Sequence, residues 1–175
     1  YARSFTDFPM QVILEDVGGK LVTGRFLRAS DFDNNMGEDN NPEWKTIVYD
    51  TKSSAYVAPN GSIGFRWGEE GKWNILEQAD GNEIEAELSC IENRDEVMEV
   101  TFPHFTPEDG DSFVRNIPAR KLKLASGEEV MVTSVFDLQV AQYGIDRGLG
   151  DNLATSYDDE TVPYTPAWAA KETGV

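Results

Sequence analysis

The chain begins with short stretches in which apolar and polar residues alternate, the pattern of half-buried β-strands. In residues 10–15 one predicted face carries Met10, Val12 and Leu14, and the other carries Gln11, Ile13 and Glu15. Two adjacent glycines, Gly18 and Gly19, supply a tight turn into a second run over residues 21–27. This opening therefore predicts a β-hairpin.

Similar patterns recur along the chain and predict about four hairpins. Residues 45–49 and 54–58 flank the polar link 50–53. The clearest alternation places Ile84, Ala86, Leu88 and Cys90 on one face and Glu85, Glu87 and Ser89 on the other. A polar turn over 92–96 then leads into a matching apolar face of Met98, Val100 and Phe102. Farther on, Leu122 and Leu124 face Val130 and Val132 across a Ser-Gly turn.

Two segments near the C-terminus have helical patterns instead. Within residues 134–147, Phe136, Val140 and Tyr143 form one apolar face, and Leu138, Ala141 and Ile145 form a second. This predicts a helix buried on both sides, with Gly148 as a stop. A last helix is predicted after Thr165, a capping residue, with Pro166 in its first turn and Gly174 at its end.

These elements predict an α+β fold that is rich in antiparallel β-hairpins, with helices toward the C-terminus. Residues 1–175 are expected to form one β-rich segment, with hairpins over 11–133 and the helix over 134–147. The chain opens at Tyr1, and we expect this start to be a processing boundary within a longer polypeptide. It contains no secretion signal and no apolar run of the about 20 residues needed to cross a bilayer.

The net charge of the chain limits the partners that it is expected to bind. Lys and Arg number 15 against 32 Asp and Glu, so the formal net charge is −17. Such a field repels nucleic acids and anionic membrane surfaces, and we expect neither nucleic acid binding nor direct membrane insertion. The acidic residues are scattered, which favours a solvated surface over an acidic face for a basic partner.

Cysteine and histidine are too scarce for the common metal sites. Cys90 and His104 are single residues of their kinds, whereas a structural zinc site or an iron–sulfur cluster needs about four such ligands. Cys90 is interpreted as a small buried hydrophobe and His104 as an exposed loop residue. No catalytic signature stands out, so we predict no catalytic residue and no metal ligand in this chain.

The acidic stretch over residues 31–43 resembles a calcium loop only in part. Asp31, Asp33 and Asn35 occupy positions one, three and five. The glycine and the final glutamate, Gly37 and Glu43, each fall one position late. That shift moves the bidentate carboxylate out of reach, which favours a polar loop.

Residues 59–75 combine aromatic and basic side chains. The candidate contacts there are Arg66, Trp67, Lys72 and Trp73. Interleaving of this kind occurs where proteins stack bases or sugars or bind small anions, but it also occurs in hairpins whose aromatic residues anchor a core. We keep these four residues as possible ligand or interface contacts, and the net charge argues against nucleic acid as the ligand.

Several longer motifs resemble a known family. They are FTDFPM (5–10), GRFLRASD (24–31), NNPEWKT (40–46), VAPNGSIGFRWGEEGKWN (57–74), VFDL (135–138), YGIDRGLGD (143–151), ATSYDD (154–159) and YTPAW…TGV (164–175). Together they resemble an internal segment of the catalytic alpha subunit of membrane-bound respiratory nitrate reductases, which are molybdopterin oxidoreductases. The flanks 1–10 and 164–175 are similar to stretches common to the wider family, and the hairpins between them resemble an insertion.

The resemblance implies an activity for the parent protein. It implies reduction of nitrate to nitrite with electrons from quinol, at a molybdenum bound by two pyranopterin guanine dinucleotides, beside a 4Fe-4S cluster. It also implies an iron–sulfur beta subunit, a haem-bearing gamma subunit in the membrane, and a position at the cytoplasmic face of the cell membrane. The family's metal ligands lie upstream of this segment, so no cofactor is expected within it.

Two alternatives remain at this point. The chain is compatible with a stand-alone acidic interaction module that uses Trp67 and Trp73 as anchors. It is also compatible with a small-ligand binder that uses Arg66 and Lys72.

Overall fold

A computed structural model describes residues 2–60, 77–104, 112–151, 153–154, 156–162 and 165–174. The strands in these ranges are β1 Gln11–Val17, β2 Lys20–Phe26, β3 Val48–Asp50, β4 Ala55–Val57, β5 Glu77–Ala79, β6 Asn82–Ile84, β7 Glu96–Pro103, β8 Ser112–Lys123 and β9 Glu129–Ser134. The α-helices are α1 Ala2–Phe5, α2 Val135–Gln142 and α3 Pro166–Thr173. The predicted hairpin-rich α+β class is confirmed.

Five strands close into a barrel in the order β1-β2-β7-β8-β9. Neighbouring strands of the barrel are antiparallel, with the exception of β2 and β7. These two strands run parallel, and they pair Leu21 with Val100 and Val22 with Thr101. The β3-β4 and β5-β6 pairs form two separate two-stranded sheets. The barrel is therefore built from an N-terminal hairpin and a later three-stranded meander.

The first predicted hairpin is confirmed, with one difference in its burial. Gly18 and Gly19 occupy the turn with φ of 65° and 84°, values that residues with a Cβ atom rarely adopt. Val12 belongs to one hydrophobic cluster and Ile13 to another, as alternation requires. However, Gln11 on the predicted polar face is also buried, because this half of β1 is covered on both sides.

The alternation at 84–90 does not form the predicted strand. β6 ends at Ile84, and beyond it only an isolated bridge joins Ala86 to Asp50. Glu87 was predicted on the polar face opposite Ala86 and Leu88, but it is buried. This prediction is wrong because Glu87 forms an ion pair with Arg120. That partner lies too far away in the sequence to be recognised from the local pattern.

The strand after this stretch was predicted correctly but its partner was not. β7 buries Val100 and Phe102 as expected, yet it pairs with β8 and β2 rather than with residues 84–90. The β8-β9 hairpin is confirmed, with Leu122 opposite Val130. Strand periodicity identified the apolar face but carried no information about which strand lies beside it.

Two other hairpins complete the sheets. The hairpin predicted from 45–49 and 54–58 is confirmed as β3 and β4, which are shorter than expected. The β5-β6 hairpin was missed, although Asp80 and Gly81 form its turn with φ of 50° and 77°. An Asp-Gly pair is a strong signal for a two-residue hairpin turn.

The predicted helix over 134–147 is shorter in the structure. α2 ends at Gln142, and the chain reverses at Gly144, whose φ is 72°. Tyr143 and Ile145 are exposed by 54% and 50%, so they do not extend the predicted buried faces. The second predicted helix is confirmed: Thr165 caps α3 by accepting the N–H of Trp168, and Gly174 ends it with a φ of 73°.

The core is divided between two main clusters. The first contains buried residues of β1, β7, β8 and α2, and partly buried residues of β2 and β9 pack against it. Because side chains from all five barrel strands meet there, this cluster is the barrel interior. The second cluster joins outward-facing residues such as Ile13 and Val132 to Leu27, Ile47 and Ala58. The barrel wall is therefore covered on part of its outer side.

Candidate functional site

The four residues predicted as ligand or interface contacts fall outside the part of the chain that the structure describes. Arg66, Trp67, Lys72 and Trp73 all lie within 61–76, between the described ranges 2–60 and 77–104. Their role remains a prediction.

Cys90 is buried, as the sequence predicted. Its side chain is 1% exposed, and its Sγ donates to the carbonyl oxygen of Pro118 at 3.0 Å. Burial and the nearby carboxylate of Asp137 raise the pKa of Cys90 to about 12. A thiol in this environment stays protonated at neutral pH and is a poor nucleophile.

His104 differs from the predicted exposed loop residue. It follows β7 and is half-buried, with its ring centroid 4.9 Å from that of Phe113 on β8. Its Nδ1 has no hydrogen-bond partner among the described residues. The ring therefore lies against an aromatic surface, without a described group that would orient it as a base.

The acidic stretch over 31–43 forms short turns, and its first carboxylate, that of Asp31, already binds other groups of the chain. Asp31 makes a bidentate ion pair with Arg25, at 2.6 and 2.7 Å, and accepts the N–H of Arg28 at 2.8 Å. Burial opposes ionisation, but these partners outweigh it and lower the pKa of Asp31. Among the described residues no group of three or more His, Cys, Asp or Glu side chains is arranged to hold a metal.

A buried polar cluster that the sequence analysis missed lies around Asp137 at the start of α2. Asp137 is fully buried, and its Oδ1 lies 2.7 Å from Nη1 of Arg147. The same Oδ1 accepts from the hydroxyl of Ser89 at 2.6 Å, while Oδ2 accepts the N–H of Cys90 at 2.9 Å. Ser134 caps the helix by accepting the N–H of Asp137 at 3.0 Å. We call these five residues the Asp137 cluster.

Part of the Asp137 cluster had a signal in the sequence. Ser134 and Asp137 stand three positions apart at the start of an apolar helix, which is the spacing of a capping box. Nothing in the local pattern identified Ser89, which lies 48 residues before Asp137, or Arg147, which lies beyond the end of α2. These contacts arise only when the chain folds.

A second buried ion pair lies on the outer side of β8. Glu87 and Arg120 are bonded to each other, and each side chain is only 8% exposed. Asn93 supports both partners, since its side chain donates to Glu87 at 2.9 Å and its carbonyl accepts from Nε of Arg120 at 3.0 Å. The guanidinium of Arg120 also stacks 3.9 Å above the ring of Tyr49.

The Asp137 cluster and the Glu87–Arg120 pair both connect segments of the fold. Each carboxylate is neutralised by one arginine and by hydrogen bonds, which is the condition for burying a charge. Together they attach residues 87–93 to β8, α2 and the loop at Arg147. The contacts of both groups thus join segments that are distant in the sequence.

Among the described residues, no helix is long and apolar enough to span a lipid bilayer.

Comparisons with known proteins identify relatives along the whole chain, although no family model matches. The chain is 49% identical over 188 residues to the respiratory nitrate reductase 1 alpha chain of Escherichia coli (strain K12). It is 39% identical over 177 residues to the nitrate reductase alpha chain of Bacillus subtilis (strain 168), and 38% identical over 182 residues to the nitrate reductase alpha subunit of Mycobacterium tuberculosis (strain ATCC 25618 / H37Rv).

Each match covers 100% of this chain but only 14% or 15% of the relative. The alternative of a stand-alone interaction module finds no support among these relatives. The chain is therefore homologous, over its full length, to one segment of the nitrate reductase alpha chains.

Proposed function

We propose that this chain is a structural, non-catalytic segment of the catalytic alpha subunit of a respiratory nitrate reductase. The parent enzyme reduces nitrate to nitrite with electrons from quinol. The observation that carries the proposal is the match of all 175 residues to alpha chains at identities of up to 49%. Identity at this level over a whole chain indicates a shared fold and a shared place in the parent protein.

The contacts of the segment's reactive side chains support a structural role. Cys90 is buried, and its Sγ donates to a backbone carbonyl. Arg120, which is buried, and Arg147, which is half-buried, each neutralise a carboxylate of the same segment. A group that binds an anion such as nitrate needs positive charge that is not already neutralised, and these two arginines do not supply it.

The cofactors of the parent enzyme are assigned to other parts of the alpha chain. A 4Fe-4S cluster needs about four ligands, which one cysteine and one histidine cannot provide. The molybdenum bound by two pyranopterin guanine dinucleotides has its ligand upstream of this segment, as the resemblance to the family implies. We assign those ligands to residues outside this segment. In this proposal the segment forms part of the folded protein that surrounds the catalytic centre, or part of the surface of the alpha subunit.

The proposed partners and location follow the parent enzyme. An iron–sulfur beta subunit and a haem-bearing gamma subunit carry electrons to the alpha chain, and the gamma subunit holds the complex at the cytoplasmic face of the membrane. The segment itself does not enter the bilayer in this proposal. Its net charge of −17 disfavours contact with anionic lipid headgroups.

The test uses the complete alpha chain that contains this segment, purified with its partner subunits. We expect it to oxidise reduced viologen with nitrate and to contain molybdenum and iron. The double substitution Cys90→Ala with His104→Gln is expected to leave metal content and turnover per molybdenum unchanged. Loss of iron or molybdenum in that variant, with the protein still folded by circular dichroism, would show a metal ligand here and overturn the structural role.

A further inference from the structure

An open groove of about 530 Å³ lies between α2, the end of β2 and the end of β7. Phe26 and Pro103 belong to the strand walls, and Val135, Gln142 and Tyr143 belong to the helical wall. Val12 and Phe102, both 4% exposed, extend the lining into the barrel interior. We call this surface the α2 groove.

The α2 groove opens where the barrel wall stops pairing. β2 and β7 are paired only at Leu21 with Val100 and at Val22 with Thr101. Beyond these pairs β2 continues to Phe26 and β7 to Pro103 without a further pairing between them. Since the wall is incomplete there, the groove extends down to apolar side chains of the barrel interior.

The α2 groove differs in charge from the rest of the chain. None of the described residues that line it is charged, although 27% of the whole chain is Asp, Glu, Lys or Arg. A second cleft, beside Phe32 and Tyr56, contains Asp33, Glu38 and Asp80. Depletion of charge together with exposed aromatic surface is typical of the buried centre of an interface, and Tyr143 at the edge is 54% exposed.

The N-terminal segment lies beside the helix that forms one wall of the groove. Backbone N–H groups of Val135 and Phe136 donate to the carbonyls of Met10 and Phe8, each at 3.0 Å. The rings of Phe8 and Phe136 also meet edge to face, with centroids 5.7 Å apart. The segment that precedes the barrel therefore lies against the first turn of the helix that walls the groove.

Length and charge distinguish the possible occupants. The matched region is only 15% of the Escherichia coli relative, so most of an alpha chain lies outside it and is available to cover this face. Two copies of the present chain would each bring a net charge of −17 to the contact. That mutual repulsion disfavours a second copy as the occupant.

We propose that the α2 groove is the surface on which an apolar segment of the alpha chain, from outside these 175 residues, is packed. This inference rests on the proposed function, because it needs the longer alpha chain. The segment would complete the barrel wall between β2 and β7 and bury Tyr143. The groove would then be an intramolecular interface that joins the β-rich segment to the remainder of the subunit.

The test places a photo-reactive residue in the groove of the complete alpha chain within its enzyme complex. The substitution is Gln142→p-benzoylphenylalanine, with Gln142→Phe as the matched control that lacks the photo-reactive group. After irradiation, mass spectrometry identifies the cross-linked peptide. We expect it to come from the alpha chain outside the 175 residues, and we expect no such product in the control or in urea.

Other cross-links would overturn the inference. These are a product within the 175 residues, a product to a second alpha chain, a product to another subunit, or no product in the folded complex. Hydroxyl-radical oxidation of Tyr143 gives a second measurement on the unsubstituted enzyme, and we expect it to be several-fold slower in the native complex than in urea. Equal oxidation in the two states would also count against a covered groove.

Nitrate-dependent oxidation of reduced viologen is measured on the same samples. Activity without the expected cross-link rejects only the groove assignment. Absence of nitrate turnover in the unsubstituted complex rejects the proposed function itself.

Discussion

Arg120 and Glu87 form an ion pair that is buried on the outer side of the barrel wall, although they lie 33 positions apart in the sequence. Burial opposes the charged state of Arg120, but the carboxylate of Glu87 outweighs it and raises the pKa of the guanidinium. The pair fastens the irregular stretch after β6 to β8, so the barrel and its covering layer depend on each other.

Removing one member of this pair is expected to destabilise the fold. Glu87→Gln leaves Arg120 buried without its counter-charge, and we expect the free energy of unfolding to fall by about 3 kcal/mol. Equilibrium unfolding in urea measures this change. The control is Lys121→Ala on the next residue, whose ion pair with Glu96 is exposed, and we expect a much smaller change there because water screens an exposed pair. Equal losses in the two variants would contradict the importance of burial.

The Asp137 cluster is expected to show strong coupling between its two charged members. Asp137→Asn and Arg147→Met each leave a charged group without its counter-charge in a site where Asp137 is fully buried. In a double-mutant cycle we expect a coupling energy of about 1 to 3 kcal/mol in the free energy of unfolding. Additive effects, measured by the same urea transitions, would mean that the two side chains do not interact.

Cys90 is expected to be unreactive while the protein is folded. Burial raises its pKa to about 12, so almost no thiolate exists at pH 8, and the Sγ is inaccessible to reagents. Alkylation by iodoacetamide at pH 8 should therefore proceed only as fast as the protein unfolds, and should become rapid in urea. Rapid alkylation of the folded protein would contradict the buried position.

The carboxylate of Asp50 is expected to make stability depend on acid pH. Burial would raise its pKa, but hydrogen bonds from Ser53 and from the backbone of Glu85 and Lys52 outweigh burial and lower it below the ordinary 3.8. A lowered folded-state pKa stabilises the fold above the unfolded-state pKa, and this contribution is lost as pH falls through the folded-state value.

Asp50→Asn should therefore lower stability at pH 6 and reduce the loss of stability between pH 4 and strongly acidic solution. Urea unfolding at several pH values measures both effects. Thr51→Ala is the control, because its hydroxyl donates to Glu85 rather than to Asp50, and we expect the pH dependence to persist there. An unchanged acid dependence in Asp50→Asn would contradict this assignment.

The local sequence pattern correctly predicted those elements that are determined by residues close to one another in the chain. The turn at Gly18 and Gly19 and the caps at Thr165 and Gly174 were correct because backbone conformation and capping are decided by neighbouring groups. The alternation in β7 was also correct, because period two reflects the geometry of one strand. The match of motifs to nitrate reductase alpha chains, confirmed by the relatives, came from the sequence too.

Contacts between distant residues were decided only by the tertiary structure. Glu87 was predicted on the polar face of a strand, but it is buried because it pairs with Arg120 on β8, far away in the sequence. The predicted α2 was too long because the fold leaves Tyr143 and Ile145 unburied. The parallel pairing of β2 with β7, and the groove beyond it, likewise have no local signal. The physical reason is that burial and strand pairing depend on which surfaces meet after the chain has folded, whereas turns and caps depend on the residues beside them.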